Sequence, residues 1–178
     1  MNPTAILERY IDPSSDLYKI VYKHSRSVAD KALSINVYHP ELGADPVFLE
    51  EAAMLHDLGV FLTNAPQIYC FGTYFYICHG YLGREILEKE GYPKHALVCE
   101  RHIGTGLTLE EIIEKKMPLP HRDMSPVSIE EQIICFSDLF FSKSQPEGEK
   151  SVESVRRSLE KYGEKGLARF DNWCKMFL

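Results

Sequence analysis

The sequence Ala52-Ala-Met-Leu-His-Asp-Leu-Gly59 decides the interpretation of this chain. It ends a predicted helix that begins at Asp45-Pro46, where a capping residue precedes a proline suited to the first helical position. His56 lies on the same apolar face as Leu49, so we expect it to point into the interior rather than at water. Asp57 is expected in the last helical turn, where its charge opposes the helix dipole and favours a compensating cation nearby.

Two further predicted helices also carry a polar side chain on an apolar face. His24 lies beside Val21 in a helix predicted over residues 14–37, and Asp138 lies in a strongly apolar helix predicted from residue 128 to about 142. An ionised aspartate among apolar neighbours is costly unless it is paired or bound to a metal. Histidine nitrogens and carboxylate oxygens without thiolates suit zinc, iron, manganese, cobalt, nickel or magnesium.

Each of these residues also has an ordinary interpretation. A single histidine on an apolar stripe is more often a satisfied core residue, and a single inward aspartate is more often an ion-pair partner. A His-Asp dipeptide also arises readily by chance in a chain with seven histidines. The joint occurrence on three separate helices is what favours a metal site.

Three segments, Tyr22–Ala29, Ala52–Gly59 and Ile133–Leu139, resemble in this order the H…HD…D signature of the HD superfamily. The resemblance implies an all-helical fold and metal-dependent hydrolysis of a phosphomonoester or phosphodiester. It also implies four ligands for one metal ion: His24, His56, Asp57 and Asp138.

Two more histidines extend the site through the same resemblance. The segment His79–Leu87 resembles the segment that follows the HD pair in HDIG-type members, and His102 shares an apolar face with Val98. In two-metal members, histidines at these places bind a second ion, with Asp57 bridging. The alternative is a one-metal site in which His79 and His102 orient water or the substrate phosphate. Asp57, His79 and His102 are the predicted catalytic residues in either case.

Candidate substrate contacts lie on more polar segments. Arg26 is close in sequence to His24, while His121 and Arg122 lie in a proline-rich loop, and loops carry substrate contacts disproportionately. Arginine suits a phosphate because its guanidinium forks onto two oxygens. The alternatives are a surface ion pair for Arg26 and a solvated loop for the other two. An aromatic cluster within residues 69–76 is expected to be core, with base stacking as the less favoured alternative.

Composition limits the class of protein. The chain has 178 residues and a net charge of −6, which fits one domain and argues against non-specific binding to nucleic acid. Five scattered cysteines without a CxxC pair suit free thiols in a reducing cytoplasm. Neither a signal peptide nor a bilayer-spanning segment is expected, so we predict a cytoplasmic protein without a membrane partner.

Helical periodicity predicts a single all-α domain over residues 1–178. The resemblance implies that it is an HD-domain bundle of about seven to nine helices. Its ligand-bearing part is expected at about 14–142, with C-terminal helices within 150–178 packing on it. Capping boxes are predicted at Thr108–Glu111 and Ser128–Glu131, and a polar linker at Ser144–Glu149.

The functional prediction is a small stand-alone phosphohydrolase with one or two divalent metal ions, in which metal-bound hydroxide attacks a small phosphorylated substrate. Three alternatives remain open: a non-catalytic HD module that binds metal or nucleotide, a di-iron HD oxygenase, and a helical interaction protein without a metal. The sequence leaves the substrate, the metal and a homo-oligomeric state open.

Overall fold

The computed structural model describes residues 1–144, 148–160 and 163–178. These residues form nine α-helices, which confirms the all-α prediction. In chain order they are α1 Pro3–Tyr10, α2 Asp16–Tyr38, α3 Pro46–Leu55, α4 His79–Lys89, α5 Pro93–Arg101, α6 Leu109–Glu114, α7 Ile129–Asp138, α8 Val152–Glu160 and α9 Glu164–Phe177.

Short elements connect α3 to α4. A two-stranded antiparallel hairpin pairs β1, Asn64–Ala65, with β2, Cys70–Phe71, and it is the one sheet among the described residues. Single 3₁₀ turns lie on either side of the hairpin and within it: Leu58–Leu62, Pro66–Ile68 and Tyr76–Cys78. No helix among the described residues is both long and apolar enough to cross a membrane.

Capping residues start most of these helices, as their sequences predict. The Asp45 side chain accepts hydrogen bonds from the Val47 and Phe48 N–H groups at 2.9 and 3.3 Å, which opens α3. At α6, the Thr108 and Glu111 side chains each accept the other residue's backbone N–H, so this capping box is confirmed.

The second predicted capping box is only half formed. The Ser128 hydroxyl accepts the Glu131 N–H at 3.2 Å, but the Glu131 carboxylate turns to the Val127 N–H and to Arg101. The prediction of a reciprocal box is therefore wrong here, because a nearby arginine offers the carboxylate a stronger, charged partner.

Two helices end earlier than predicted. Helix α3 stops at Leu55, so His56 is its C-terminal cap and Asp57 lies beyond the helix rather than in its last turn. Helix α7 stops at Asp138 instead of near residue 142. At each end the chain continues into a tight turn, in which the N–H three residues later donates to the carbonyl of Asp57 or Asp138. Helix periodicity does not predict where such a turn begins. Residues 145–147 of the predicted linker lie outside the described residues.

Two apolar clusters make up most of the core. The larger joins α2, α3, α5 and α7 with α8 and α9, and its centre is aromatic: Phe136, Phe140, Phe170, Trp173 and Phe177. The second joins α1, the first half of α2, the end of α3 and parts of α4 and α5. Helix α1, which helical periodicity did not predict, contributes the fully buried Leu7 to it.

Candidate metal centre

Six polar side chains from five helices converge between the two clusters. His24 comes from the middle of α2, and the others lie at helix ends: His56, Asp57, His79, His102 and Asp138. All are buried except Asp138, whose side chain is 17% exposed. The structure thus brings together every histidine and aspartate that the sequence predicts as a metal ligand.

Asp57 divides these side chains into two groups. Its Oδ2 atom lies 3.3 Å from His24 Nε2 and 3.2 Å from His56 Nε2. Its Oδ1 atom lies 3.3 Å from His79 Nε2 and 3.5 Å from His102 Nε2. One carboxylate therefore faces two pairs of histidines through different oxygens.

The first ligand group consists of His24, His56, Asp138 and the Oδ2 atom of Asp57. Asp138 Oδ1 lies 2.9 Å from His24 Nε2 and 3.5 Å from His56 Nε2. Metal–ligand bonds of about 2.1 Å place neighbouring ligand atoms about 3.0–3.4 Å apart in octahedral or tetrahedral geometry. The spacing in this group fits a divalent cation.

The second ligand group consists of His79, His102 and the Oδ1 atom of Asp57. The two Nε2 atoms lie 3.0 Å apart, and each is within 3.5 Å of Oδ1. This triangle also has the size of one face of a coordination shell. Three protein ligands leave room for water or substrate, as catalytic sites require.

Local hydrogen bonds orient three of the four histidines. Each accepting group is the backbone carbonyl three residues earlier: Ala53 for His56 at 2.6 Å, Tyr76 for His79 at 2.6 Å and Cys99 for His102 at 2.7 Å. The Ala53 and Cys99 carbonyls lie in the final turns of α3 and α5, where intrahelical partners are lacking. The Tyr76 carbonyl lies in the 3₁₀ turn before α4 and also accepts the backbone N–H of His79. A carbonyl at Nδ1 selects the Nδ1–H tautomer, which leaves the Nε2 lone pair for a metal.

Several buried atoms in the site have no directed hydrogen bond within the described residues. They are both ring nitrogens of His24, Nε2 of His56 and both carboxylate oxygens of Asp57. Orphaned buried polar atoms cost about 1–3 kcal/mol each, and more when charged. Their mutual approach without hydrogen bonds fits a site built for a cation.

The electrostatics of the site keep both aspartates ionised and His102 neutral. Burial alone would lower the pKa of His56, but the Asp57 carboxylate raises it to about 10, so His56 must release a proton to bind a metal. Burial alone would raise the pKa of Asp57, but the field of His56 and Lys143 holds it well below its ordinary value. The pKa of Asp138 is likewise held far down, against the effect of burial, by the nearby His24 and His56 rings and by the Lys143 charge. Burial lowers the pKa of His102 to about 4, so that imidazole is neutral.

Glycines allow the close packing that assembles the site. A Cβ atom on Gly59 would lie 2.3 Å from the His79 carbonyl and 2.4 Å from the Gly83 nitrogen. A Cβ atom on Gly80 would lie 2.8 Å from the Cys99 carbonyl. The absence of side chains here lets α4 lie directly on the turn after Asp57 and on α5, which brings His79 and His102 to Asp57.

Sequence reasoning missed one charged residue at the centre. Lys143 Nζ lies 2.7 Å from Asp57 Oδ2 and 5.9 Å from the centre of the Tyr76 ring, and its side chain is 10% exposed. Burial alone would lower the pKa of Lys143, but the Asp57 and Asp138 carboxylates raise it well above its ordinary value. The helix predicted to end near residue 142 ends at Asp138, so Lys143 lies in the segment after it. No sequence pattern around Lys143 indicates a function.

A cavity of about 730 Å³ opens beside the ligand groups. His79, Asp138 and Lys143 form part of its wall. Much of the remaining wall is apolar: Ile68, Ile77, Ile103, Leu107, Met117 and Leu159. A pocket of this size and character has room for the organic part of a small ligand beside the metal centre.

The predicted substrate contacts lie elsewhere. Arg26 pairs with Asp30 at 2.8 Å and with Glu50 at 2.6 Å, as its surface alternative predicts. Arg122 donates to the buried carboxylate of Glu100, with its Nε at 2.7 Å. His121 is exposed, and none of these three predicted contacts lines the cavity. Their role in substrate binding stays a prediction.

The aromatic cluster is not core, so that prediction is wrong. Tyr69 and Tyr74 are exposed, as are Phe71 at 75% and Phe75 at 71%. They lie on or beside the small hairpin, which is too short to have an inner face that covers them. Tyr76 is the member that lines the cavity, and base stacking stays untested.

The fold and site define an all-helical domain with clustered histidines and aspartates able to hold a metal. The sequence profile of the HD domain family matches residues 21–141, and the chain belongs to that family. Proteins of this family are generally metal-dependent hydrolases, and the matched range includes all six residues of the two ligand groups.

Two curated relatives are similar to most of the chain. A protein of Methanocaldococcus jannaschii whose function is uncharacterized is 32% identical over 148 residues, which are 77% of this chain and 80% of that protein. The tRNA (cytidine(56)-2'-O)-methyltransferase of Picrophilus torridus is 28% identical over 149 residues, 83% of this chain but 37% of the enzyme. That enzyme therefore has a large further region. No solved structure matches the chain.

Proposed function

We propose that this chain is a metal-dependent phosphohydrolase that cleaves a phosphomonoester or a phosphodiester. The observation that supports this most directly is the placement of Asp57 between the two ligand groups, with its oxygens 3.2–3.5 Å from four histidine nitrogens. Burying these histidines and aspartates with so few directed hydrogen bonds is costly, and a bound cation would offset that cost.

The four ligands of the proposed first metal are His24, His56, Asp57 and Asp138, and His79 and His102 complete a second site with Asp57. A bound divalent ion supplies a water of lowered pKa and a positive charge on the phosphoryl oxygen. Within the chain, Asp57 spans both sites, and the carbonyl-bonded histidines keep their Nε2 atoms turned inward. The burial of the centre excludes bulk water from one side of the substrate.

The cavity supports a small organic phosphate as the substrate. Because His79 and Asp138 line the cavity, a phosphate bound there would lie against the ligand groups, with the organic group against the apolar wall. The net charge of −6 disfavours a long nucleic acid as the partner and leaves a nucleotide-sized molecule acceptable.

The test is metal content together with hydrolysis. Full-length protein purified without chelator is analysed for metal, then loaded with manganese, iron, cobalt or zinc and assayed on p-nitrophenyl phosphate, bis-p-nitrophenyl phosphate and nucleoside monophosphates. Asp57→Ala is expected to lose metal and at least ~100-fold in activity. Asp171→Asn, on the surface beside Arg156, is the matched control and should keep both. Full metal-dependent activity in Asp57→Ala would contradict the proposal.

A second candidate is a non-catalytic module that binds metal and nucleotide. The P. torridus relative supports it, since there the aligned segment accompanies a region belonging to a tRNA methyltransferase. This module predicts bound metal and nucleotide affinity without turnover of any of the esters. Oxygen consumption by the iron-loaded protein with a small polyol would instead favour the oxygenase alternative.

A further inference from the structure

The ammonium of Lys143 lies at the boundary between the first ligand group and the cavity. Nζ contacts Asp57 Oδ2 at 2.7 Å, and the same side chain lines the cavity with His79 and Asp138. Lysine is rarely this buried unless it is paired or used. We propose that Lys143 binds a phosphoryl oxygen of the substrate and holds the phosphate against the ligand groups. This inference rests on the proposed function and assigns a substrate-binding residue to the same site.

Charge is the first argument for this role. The two aspartates of the first ligand group balance one divalent cation, and the histidines ligate as neutral groups. Because the metal then neutralises those two carboxylates, the charge of Lys143 gives the centre a net positive charge. A second cation would increase this net positive charge. Glu111 also lines the cavity, but its carboxylate accepts the Thr108 N–H at 2.9 Å. An anionic ligand from outside would balance this net positive charge, and phosphate has the right charge.

Anchoring of the segment is the second argument. After α7 the chain turns, with the Phe141 N–H donating to the Asp138 carbonyl at 3.1 Å. Lys150 stabilises this turn, because its Nζ donates hydrogen bonds to the Leu139 and Phe141 carbonyls, each at 3.3 Å. Lys143, five residues after the ligand Asp138, therefore follows a turn that hydrogen bonds hold in place.

Tyr76 supplies the third argument. Its ring faces the Lys143 ammonium at 5.9 Å, a cation–π distance, while its backbone carbonyl accepts the Nδ1–H of His79. One residue therefore positions both the ammonium and a ligand of the second group. Such pre-positioning suits a group that must meet a phosphate at a defined place.

The competing role is structural, with Lys143 serving only to balance Asp57. The two roles differ in what Lys143→Met changes. A structural partner would alter metal binding, whereas a phosphate ligand would alter phosphate binding at unchanged metal content. Methionine keeps the length of the side chain and removes the charge.

The experiment uses the full chain loaded with saturating manganese. Metal per chain is measured first, and inorganic phosphate is then titrated by calorimetry. In Lys143→Met, metal content should match the wild type and the phosphate dissociation constant should rise about 10- to 100-fold, the loss of one charged hydrogen bond. Lys94→Met removes an exposed charge that does not line the cavity and should change the constant less than about twofold. Lys143→Gln, with the same expectation, replaces Lys143→Met if the latter does not fold.

The outcomes separate this inference from the proposed function. Wild-type phosphate affinity in a fully metal-loaded Lys143→Met protein would overturn the inference and leave the hydrolase proposal standing. Loss of manganese from the variant at saturation would also overturn it, since Lys143 would then belong to metal-site assembly. A wild-type chain that binds no metal would defeat the proposed function, and this inference with it.

Discussion

The Nε2 atoms of His79 and His102 lie 3.0 Å apart although the residues begin one helix and end the next. With both Nδ1 atoms donating to carbonyls, the two Nε2 atoms meet through their lone pairs unless a proton lies between them. Such an approach is unfavourable unless a cation joins the two nitrogens. A second metal ion joining them and a proton shared between them are the two arrangements that the first prediction distinguishes.

The first prediction concerns metal number. His79→Ala and His102→Ala should each lower metal content from two ions per chain to one, because each removes a ligand found only in the second group. His24→Ala should instead empty the first site. Elemental analysis after gel filtration measures the ratio, and His39→Ala, remote from both groups and paired with Glu41, is the control. One ion per chain in the wild type would return His79 and His102 to the role of orienting water or phosphate.

The second prediction concerns close packing at the HD pair. Gly59→Ala should destabilise the protein by about 3 kcal/mol, since its new Cβ meets backbone atoms at 2.3 and 2.4 Å that cannot move alone. Displacement of α4 should also weaken metal binding by His79. Urea unfolding measures the first effect and metal titration the second. Gly166→Ala, whose Cβ would meet only the Thr105 hydroxyl at 3.0 Å, should be near neutral. Equal stabilities of the two variants would refute the packing argument.

The third prediction concerns metal removal. Asp57 and Asp138 are ionised, close together and buried or nearly so, and a bound cation relieves their repulsion. Binding to the folded state alone adds about 2.7 kcal/mol when free metal is 100 times its dissociation constant. Chelation should therefore lower the midpoint of thermal unfolding, and manganese should restore it. A midpoint independent of metal would mean that the centre binds no ion of this kind.

The fourth prediction concerns pH. Burial against Phe48 and Tyr92 lowers the pKa of His95 below 6.5, although Glu51 opposes the shift. The unfolded chain therefore takes up a proton before the folded chain does, so the stability from neutral His95 is present above about pH 6.5 and is lost as pH falls below it. Denaturation of chelator-treated protein between pH 7.5 and 5 measures the slope.

The control for this pH effect is a second histidine variant. His95→Gln should lose less stability on acidification than the wild type, because glutamine takes up no proton. His121→Gln, at an exposed position, should follow the wild-type curve. Parallel curves of stability against pH for wild type and His95→Gln would show that the burial of His95 does not cause the loss of stability on acidification.

The candidate ligands were predictable because their signals are local. An inward histidine or aspartate on an apolar helical face is visible from periodicity alone, as at His24 and Asp138. Capping residues such as Asp45 and Thr108 likewise act on N–H groups two or three residues away. Helix α1 was not predicted, since eight residues are too few to show a clear helical period. Its position depends on the packing of the buried Leu7.

The sequence by itself determined the helical class, the order of the ligands and the HD family resemblance, because helix periodicity and short motifs are properties of neighbouring residues. Only the tertiary structure decided that the two oxygens of Asp57 face different histidines and that Lys143 reaches the centre. It also decided that Arg122 pairs with Glu100 and that the aromatic segment is exposed. These outcomes depend on where helix ends meet across the core, and contacts between segments far apart in sequence leave no pattern within either one.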